Sequence, residues 1–124
     1  MKNKMLVIAS IFLLFLASSC RDNNENIACT MEFRIVTITV NGNPLDEYFT
    51  VRESTNDTIR IDRSNVTGNN VYPVLDDSYQ NIIEGRTENF FFYGKVNGVV
   101  TVREPFVIKA DKCHIEYVSG RQVI

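Results

Sequence analysis

Between residues 31 and 40 the chain reads MEFRIVTITV, dense in β-branched and aromatic side chains and free of Gly and Pro. This predicts a strand with Val36, Ile38 and Val40 on one face. Phe33 and Ile35 fall on the opposite parity, which implies a bulge or a strand covered on both sides. Asn41-Gly42 supplies a turn, and a second strand is expected from about Leu45 to Arg52 with Leu45, Phe49 and Val51 in phase. Thr58–Asp62 and Val71–Leu75 read as further short strands, the latter despite Pro73, which marks an edge or a bulge. Residues 76–86 are ambiguous, with room for a short turn or strand at Ile82-Ile83.

The clearest element is a hairpin from about Asn89 to Arg103 with Asn97-Gly98 at its tip. Regular pairing from a two-residue loop places Tyr93 opposite Val102 and Phe92 opposite Arg103. The face with Phe91, Tyr93, Val100 and Val102 is then the expected core face, leaving Phe90, Phe92, Thr101 and Arg103 on the other. Pro105 is expected to end that strand, and a last strand runs from about Lys112 to Val118. No segment keeps a helical period over three turns. About seven short strands separated by turns predict an all-β fold, a single antiparallel β-sandwich.

The N-terminus follows a different pattern. Lys2 and Lys4 precede an apolar run of thirteen residues, Met5–Ala17, broken only by Ser10. A helix of that length rises about 20 Å, short of the roughly 30 Å hydrocarbon core of a bilayer, so the run reads as the h-region of a signal peptide. Leu16-Ala17-Ser18-Ser19-Cys20 then resembles the lipobox of bacterial lipoproteins, with Ala17 where Leu is usual. That resemblance implies cleavage before Cys20, acylation of its thiol and a membrane anchor. The alternative is an ordinary secretory signal with Cys20 a plain thiol. The expected organisation is a signal peptide over 1–19, a lipidated cysteine and flexible tether over 20–28, and a β-sandwich domain over 29–124. The acidic, polar residues after Cys20 resemble the export signal of surface lipoproteins in Bacteroidetes-type bacteria, which implies an outer-membrane lipoprotein at the cell surface, with the periplasmic face as the other possibility.

Composition narrows the function. The 124 residues carry 13 basic and 15 acidic side chains. Loss of Lys2 and Lys4 leaves 11 basic residues and a mature charge of −4. There is no basic excess to neutralise phosphates, so nucleic acid is not an expected partner. With Cys20 lipidated, Cys29 and Cys113 remain, and an even count in an oxidising compartment favours a disulfide over two buried free thiols. His114 beside Cys113 suggests a metal or catalytic pair, but neighbours on a strand point to opposite faces. No serine sits in a nucleophile elbow, and Asp76, Asp77 and Asp111 form no spaced Ca²⁺ loop. Neither an enzyme nor a cofactor or metal site is expected.

Val40-Asn41-Gly42-Asn43-Pro44-Leu45, followed by Phe49 and Val51, resembles the opening of prealbumin-like sandwiches, among them the transthyretin-like and carboxypeptidase regulatory-like domains. The stretch Phe106-Val107-Ile108 through Asp111-Lys112-Cys113-His114-Ile115 to Val118-Ser119-Gly120 is similar to small lipoproteins of Bacteroidetes-type bacteria. These resemblances imply an accessory, scaffolding or adhesion module and bring no catalytic residues. The expected function is therefore non-catalytic binding of an envelope or host protein. A glycan-binding lipoprotein is the alternative. Phe90 and Phe92 beside Arg103 are the candidate binding patch, with Tyr79 nearby for stacking on sugars, unless a second core layer covers them or a bulge at Gly94 exchanges the faces. Asp57-Thr58-Ile59 resembles an O-glycosylation acceptor motif of the same bacteria, with Thr58 as the candidate residue.

Overall fold

The computed structural model describes residues 26–124. Seven strands form two antiparallel sheets. The smaller pairs β1 (Ile35–Thr39) with β4 (Val71–Asp76). The larger has the order β3-β2-β5-β6-β7, from β3 (Thr58–Ile59) and β2 (Glu47–Arg52) through β5 (Thr87–Val96) and β6 (Val99–Ala110) to β7 (Ile115–Gly120). The fold is an all-β sandwich, as the alternating pattern predicts.

Alternation builds the core from both sheets. Val36 and Ile38 of β1 and Tyr72 and Val74 of β4 face Phe90 and Phe92 of β5 and Phe106 and Ile108 of β6. Pro73 lies in β4, whose only strand partner among the described residues is β1, and the register shifts beside it between Val36 and Thr37. The ambiguous stretch after β4 is helical: a 3₁₀ turn at Asp77–Tyr79 leads into one α-turn at Gln80–Ile83, which buries Ile83. After β7 the chain returns to β1 in parallel, through Thr39 N–H to Gln122 O at 2.8 Å and Ile124 N–H to Thr39 O at 3.0 Å. That segment sews the small sheet to the end of the large one.

The hairpin tip is as expected. Asn97 and Gly98 both have positive φ (50° and 76°), the requirement of a type I′ turn. Several boundaries differ from the sequence reading: β1 begins only at Ile35, β3 stops at Ile59 short of Asp62, and two further differences have a clear cause. Pro105 does not end β6, which continues to Ala110. β7 stops opposite Phe106, so Pro105 lies just past the reach of that neighbour, where a missing N–H breaks no pairing. The last strand begins at Ile115 instead of Lys112, because Asp111 folds Cys113 and His114 into a turn by accepting both of their N–H groups.

Candidate functional site

The faces of the long hairpin are exchanged relative to regular pairing. Val96 opposes Val99, but the register shifts between Gly94 and Lys95, so that Tyr93 opposes Arg103 and Phe92 opposes Glu104. One extra residue in β6, Thr101, produces the slip, and the β-period of two turns it into a change of face. Phe90 and Phe92 are therefore fully buried and cannot form a patch with exposed Arg103. Tyr79 packs half-buried against the core, so it presents no open platform either. Gly94 helps to fix this arrangement: a Cβ there would stand 2.5 Å from Leu45 Cδ1.

What the slip turns outward is a different set of aromatic residues. Register pairs Phe49 of β2 with Tyr93 of β5, and Tyr93 with Arg103 of β6, while Arg60, just past β3, sits over the Phe49 ring. The Phe49 and Tyr93 rings are 5.2 Å apart, within 13° of parallel. Rings that close cannot share a plane, so they stand up from the sheet face to face at about the 4.8 Å spacing of the strands. Arg60 lies 5.3 Å from the Phe49 centroid on one flank, and Lys95 is also 5.3 Å from it. Arg103 lies 4.2 Å over Phe91 and 5.9 Å from Tyr93 on the other flank. The result is a cross-strand ladder, Arg60–Phe49–Tyr93–Arg103, on the outer face of the five-stranded sheet. Among the described residues no further sheet covers that face.

Charge on this surface is uneven. Glu47 is the carboxylate of the ladder, 3.0 Å from both Arg60 and Lys95, and the Lys95 and Arg60 hydrogen bonds hold it below the usual carboxylate range. Arg103 has no carboxylate partner among the described residues. Its Nε donates to Tyr93 Oη at 3.1 Å.

A second cluster gathers at the other end of the sandwich. Cys29 and Cys113 form a disulfide with 5.3 Å between Cα atoms. Beside it, Nδ1 of His114 donates to Asp77 Oδ2 at 2.8 Å, and Thr30 Oγ1 lies 2.9 Å from Nε2. An ionised Asp77 can only accept, so Nδ1 carries the proton and Nε2 of a neutral ring accepts from Thr30. Burial opposes ionisation of Asp77, but the N–H groups of Arg34 and Ile115, together with His114, outweigh it and lower its pKa. N–H groups of His114 and Cys113 likewise lower that of Asp111. Hydroxyl, imidazole and carboxylate stand in the order used by acyl-transfer enzymes. Here, however, Asp77 binds three chain segments together and His114 is buried, the geometry of a clasp. Sequence reasoning set His114 aside because it sought a partner in Cys113, and Thr30 and Asp77 are far from it along the chain. Among the described residues no group of three or more His, Cys, Asp or Glu is placed to hold a metal ion.

Thr58 is exposed on edge strand β3. Cys20, the expected lipidation site, lies outside the described residues, as do the expected signal peptide over 1–19 and most of the expected tether over 20–28. No helix among the described residues is long and apolar enough to cross a membrane. Against known proteins, the chain matches no family model, no curated protein and no solved structure. Any functional reading therefore starts from its own geometry.

Proposed function

We propose that the chain is a lipid-anchored module of a bacterial cell envelope that works by binding a protein partner, without catalysis. The observation that carries the binding reading is the Arg60–Phe49–Tyr93–Arg103 ladder, an aromatic and cationic surface left open on the outer face of the large sheet. Anchoring rests on the apolar run ending in Leu16-Ala17-Ser18-Ser19-Cys20, which resembles a lipobox. Several acyl chains on one residue would hold the domain stably, since a single chain is marginal. The prealbumin-like likeness of residues 40–51 belongs to the same reading and implies a scaffolding or adhesion role. Thr58, accessible on β3, would carry a glycan in this setting.

The test is cross-linking on intact cells with a membrane-impermeant reagent, followed by mass spectrometry of the attached species. Defined protein partners, reduced when Tyr93 is replaced by Ser, are the expected result. A surface-labelled protein with no protein partner overturns the reading. Anchoring has a separate readout: Cys20→Ala releases the protein from membranes, and retention would refute the lipid anchor.

A further inference from the structure

We infer that Arg103 and Tyr93 form a pre-built carboxylate receptor, and that the partner contributes an acidic, extended peptide segment that runs across the ladder. This rests on the binding-module reading and names the chemistry of its partner.

The argument begins with what holds Arg103. Its guanidinium lies 4.2 Å over the Phe91 ring and its Nε is tied to Tyr93 Oη. A free surface arginine loses rotamer entropy when it grips a ligand. This one has already lost much of it. The tie also sets the polarity of the hydroxyl. Because Tyr93 Oη accepts from Nε, its own hydrogen remains to be donated. Neither terminal nitrogen of Arg103 has a hydrogen-bond partner among the described residues. The Nη1–Nη2 edge of the guanidinium and one phenol O–H are thus left to donate from one place, with no acceptor among the described residues. That donor set matches a carboxylate, and the fork allows bidentate pairing.

Charge complementarity extends the match along the ladder. Arg60 and Lys95 share one carboxylate, Glu47, while Arg103 pairs with none among the described residues, which leaves the ladder cationic on a chain whose overall charge is −2. Arg60 and Arg103 end a row of four strand positions, about 14 Å across at the usual strand spacing. An extended peptide covers that distance in about four residues. The site therefore favours carboxylates at positions i and i+4 of an extended segment. Neutral sugars are poorly served, because Phe49 and Tyr93 are stacked on each other and flanked by cations, and Arg103 lies over the Phe91 ring.

The experiment measures fluorescence anisotropy of a labelled oligoglutamate peptide with the purified full chain, alongside oligoasparagine and polygalacturonate. Expected is oligoglutamate binding that weakens with added salt, falls tenfold or more in Arg103→Lys, and falls severalfold in Tyr93→Phe. Arg103→Lys keeps the charge and loses the fork, so equal binding by that variant overturns the receptor. Oligoasparagine binding as tightly, or polygalacturonate binding alone, overturns the acidic peptide. Near-ultraviolet circular dichroism checks that both variants keep the fold. If cross-linked cell-surface partners persist while oligoglutamate does not bind, this inference fails and the binding module stands. If no protein partner is cross-linked, the binding module itself fails.

Discussion

His114 Nδ1 donates to Asp77 Oδ2 at 2.8 Å, and this bond joins the start of β7 to the turn that follows β4. The same carboxylate accepts the N–H groups of Arg34 and Ile115, each at 2.8 Å, so one side chain ties the entry to β1, the exit from β4 and the start of β7.

Asp77→Asn should therefore destabilise the domain by about 2–3 kcal/mol, because an amide offers one acceptor oxygen to three donors. The pH dependence has a definite sign. Asp77, Glu88 and Asp111 all have folded pKa values below their ordinary ones. Their contribution is thus complete above the unfolded pKa, near 4, and is lost as pH falls through the lower folded values. Urea midpoints measured from pH 7 to pH 2.5 should decline below about pH 4.5, less steeply in the Asn variant.

Arg52 and Glu88 form a two-pronged ion pair at 2.5 and 2.6 Å, with side chains only 8% and 10% exposed. Glu88→Leu leaves the guanidinium buried and unpaired, at an expected cost of about 3–5 kcal/mol. Replacing both, Arg52→Met with Glu88→Leu, should recover most of that loss. A double-mutant cycle in urea decides it: a double variant no better than the single would show that the pair is worth more than its burial costs.

Gly120 has φ +138°, and a Cβ there would stand 2.7 Å from Phe106 Cδ1 and 2.9 Å from the Pro105 carbonyl. Gly42 also has positive φ, +108°, but open space around it. Gly120→Ala should cost about 2 kcal/mol or more, and Gly42→Ala about 1 kcal/mol from backbone strain alone. Thermal melts of the two variants side by side separate packing from backbone strain.

The disulfide closes a loop with a sequence separation of 84 residues. Replacing both cysteines by Ser should lower stability by up to about 4–5 kcal/mol in the loop-entropy account. The same loss should follow addition of reductant to the wild-type protein in guanidinium. A wild-type midpoint unmoved by reductant would mean that the two sulfurs are not bonded in solution.

The strands, the Asn97-Gly98 turn and the Cys29–Cys113 bridge were all legible in the sequence, because each is announced by local composition or by count. The faces were not. In β5 large rings occupy both parities, Phe90 and Phe92 as well as Phe91 and Tyr93, so hydrophobicity alone does not choose a side. The choice was made by the slip at Gly94, which the glycine offers only as an alternative in the sequence and which leaves Thr101 unpaired. β2 misleads for a related reason: Phe49 and Val51 alternate as a core face should, yet Thr50 and Arg52 are the buried pair. Their burial is sustained by Thr50 Oγ1 donating to Val74 O at 2.6 Å and by Arg52 meeting Glu88, partners far off in sequence. The ladder was invisible for the same reasons. From sequence, Arg103 is grouped with Phe92, where the register supplies Phe91 and Tyr93 as its neighbours.

The disulfide also decides how the domain would bear a load. Tension arriving along the chain ahead of Cys29 crosses the sulfur bridge to Cys113 and never reaches the segment between them end to end. If the opposing pull acts at Arg103, the force enters at one end of β6 and leaves toward its middle. β6 is hydrogen-bonded along that stretch to β5 on one side and β7 on the other. The load then runs along the covalent backbone of that strand between the two points, and its hydrogen bonds to the neighbours are not pulled open one after another like a zip. A domain hung from a membrane by its N-terminal side and gripped on its outer face would yield last at the strand that joins the two points.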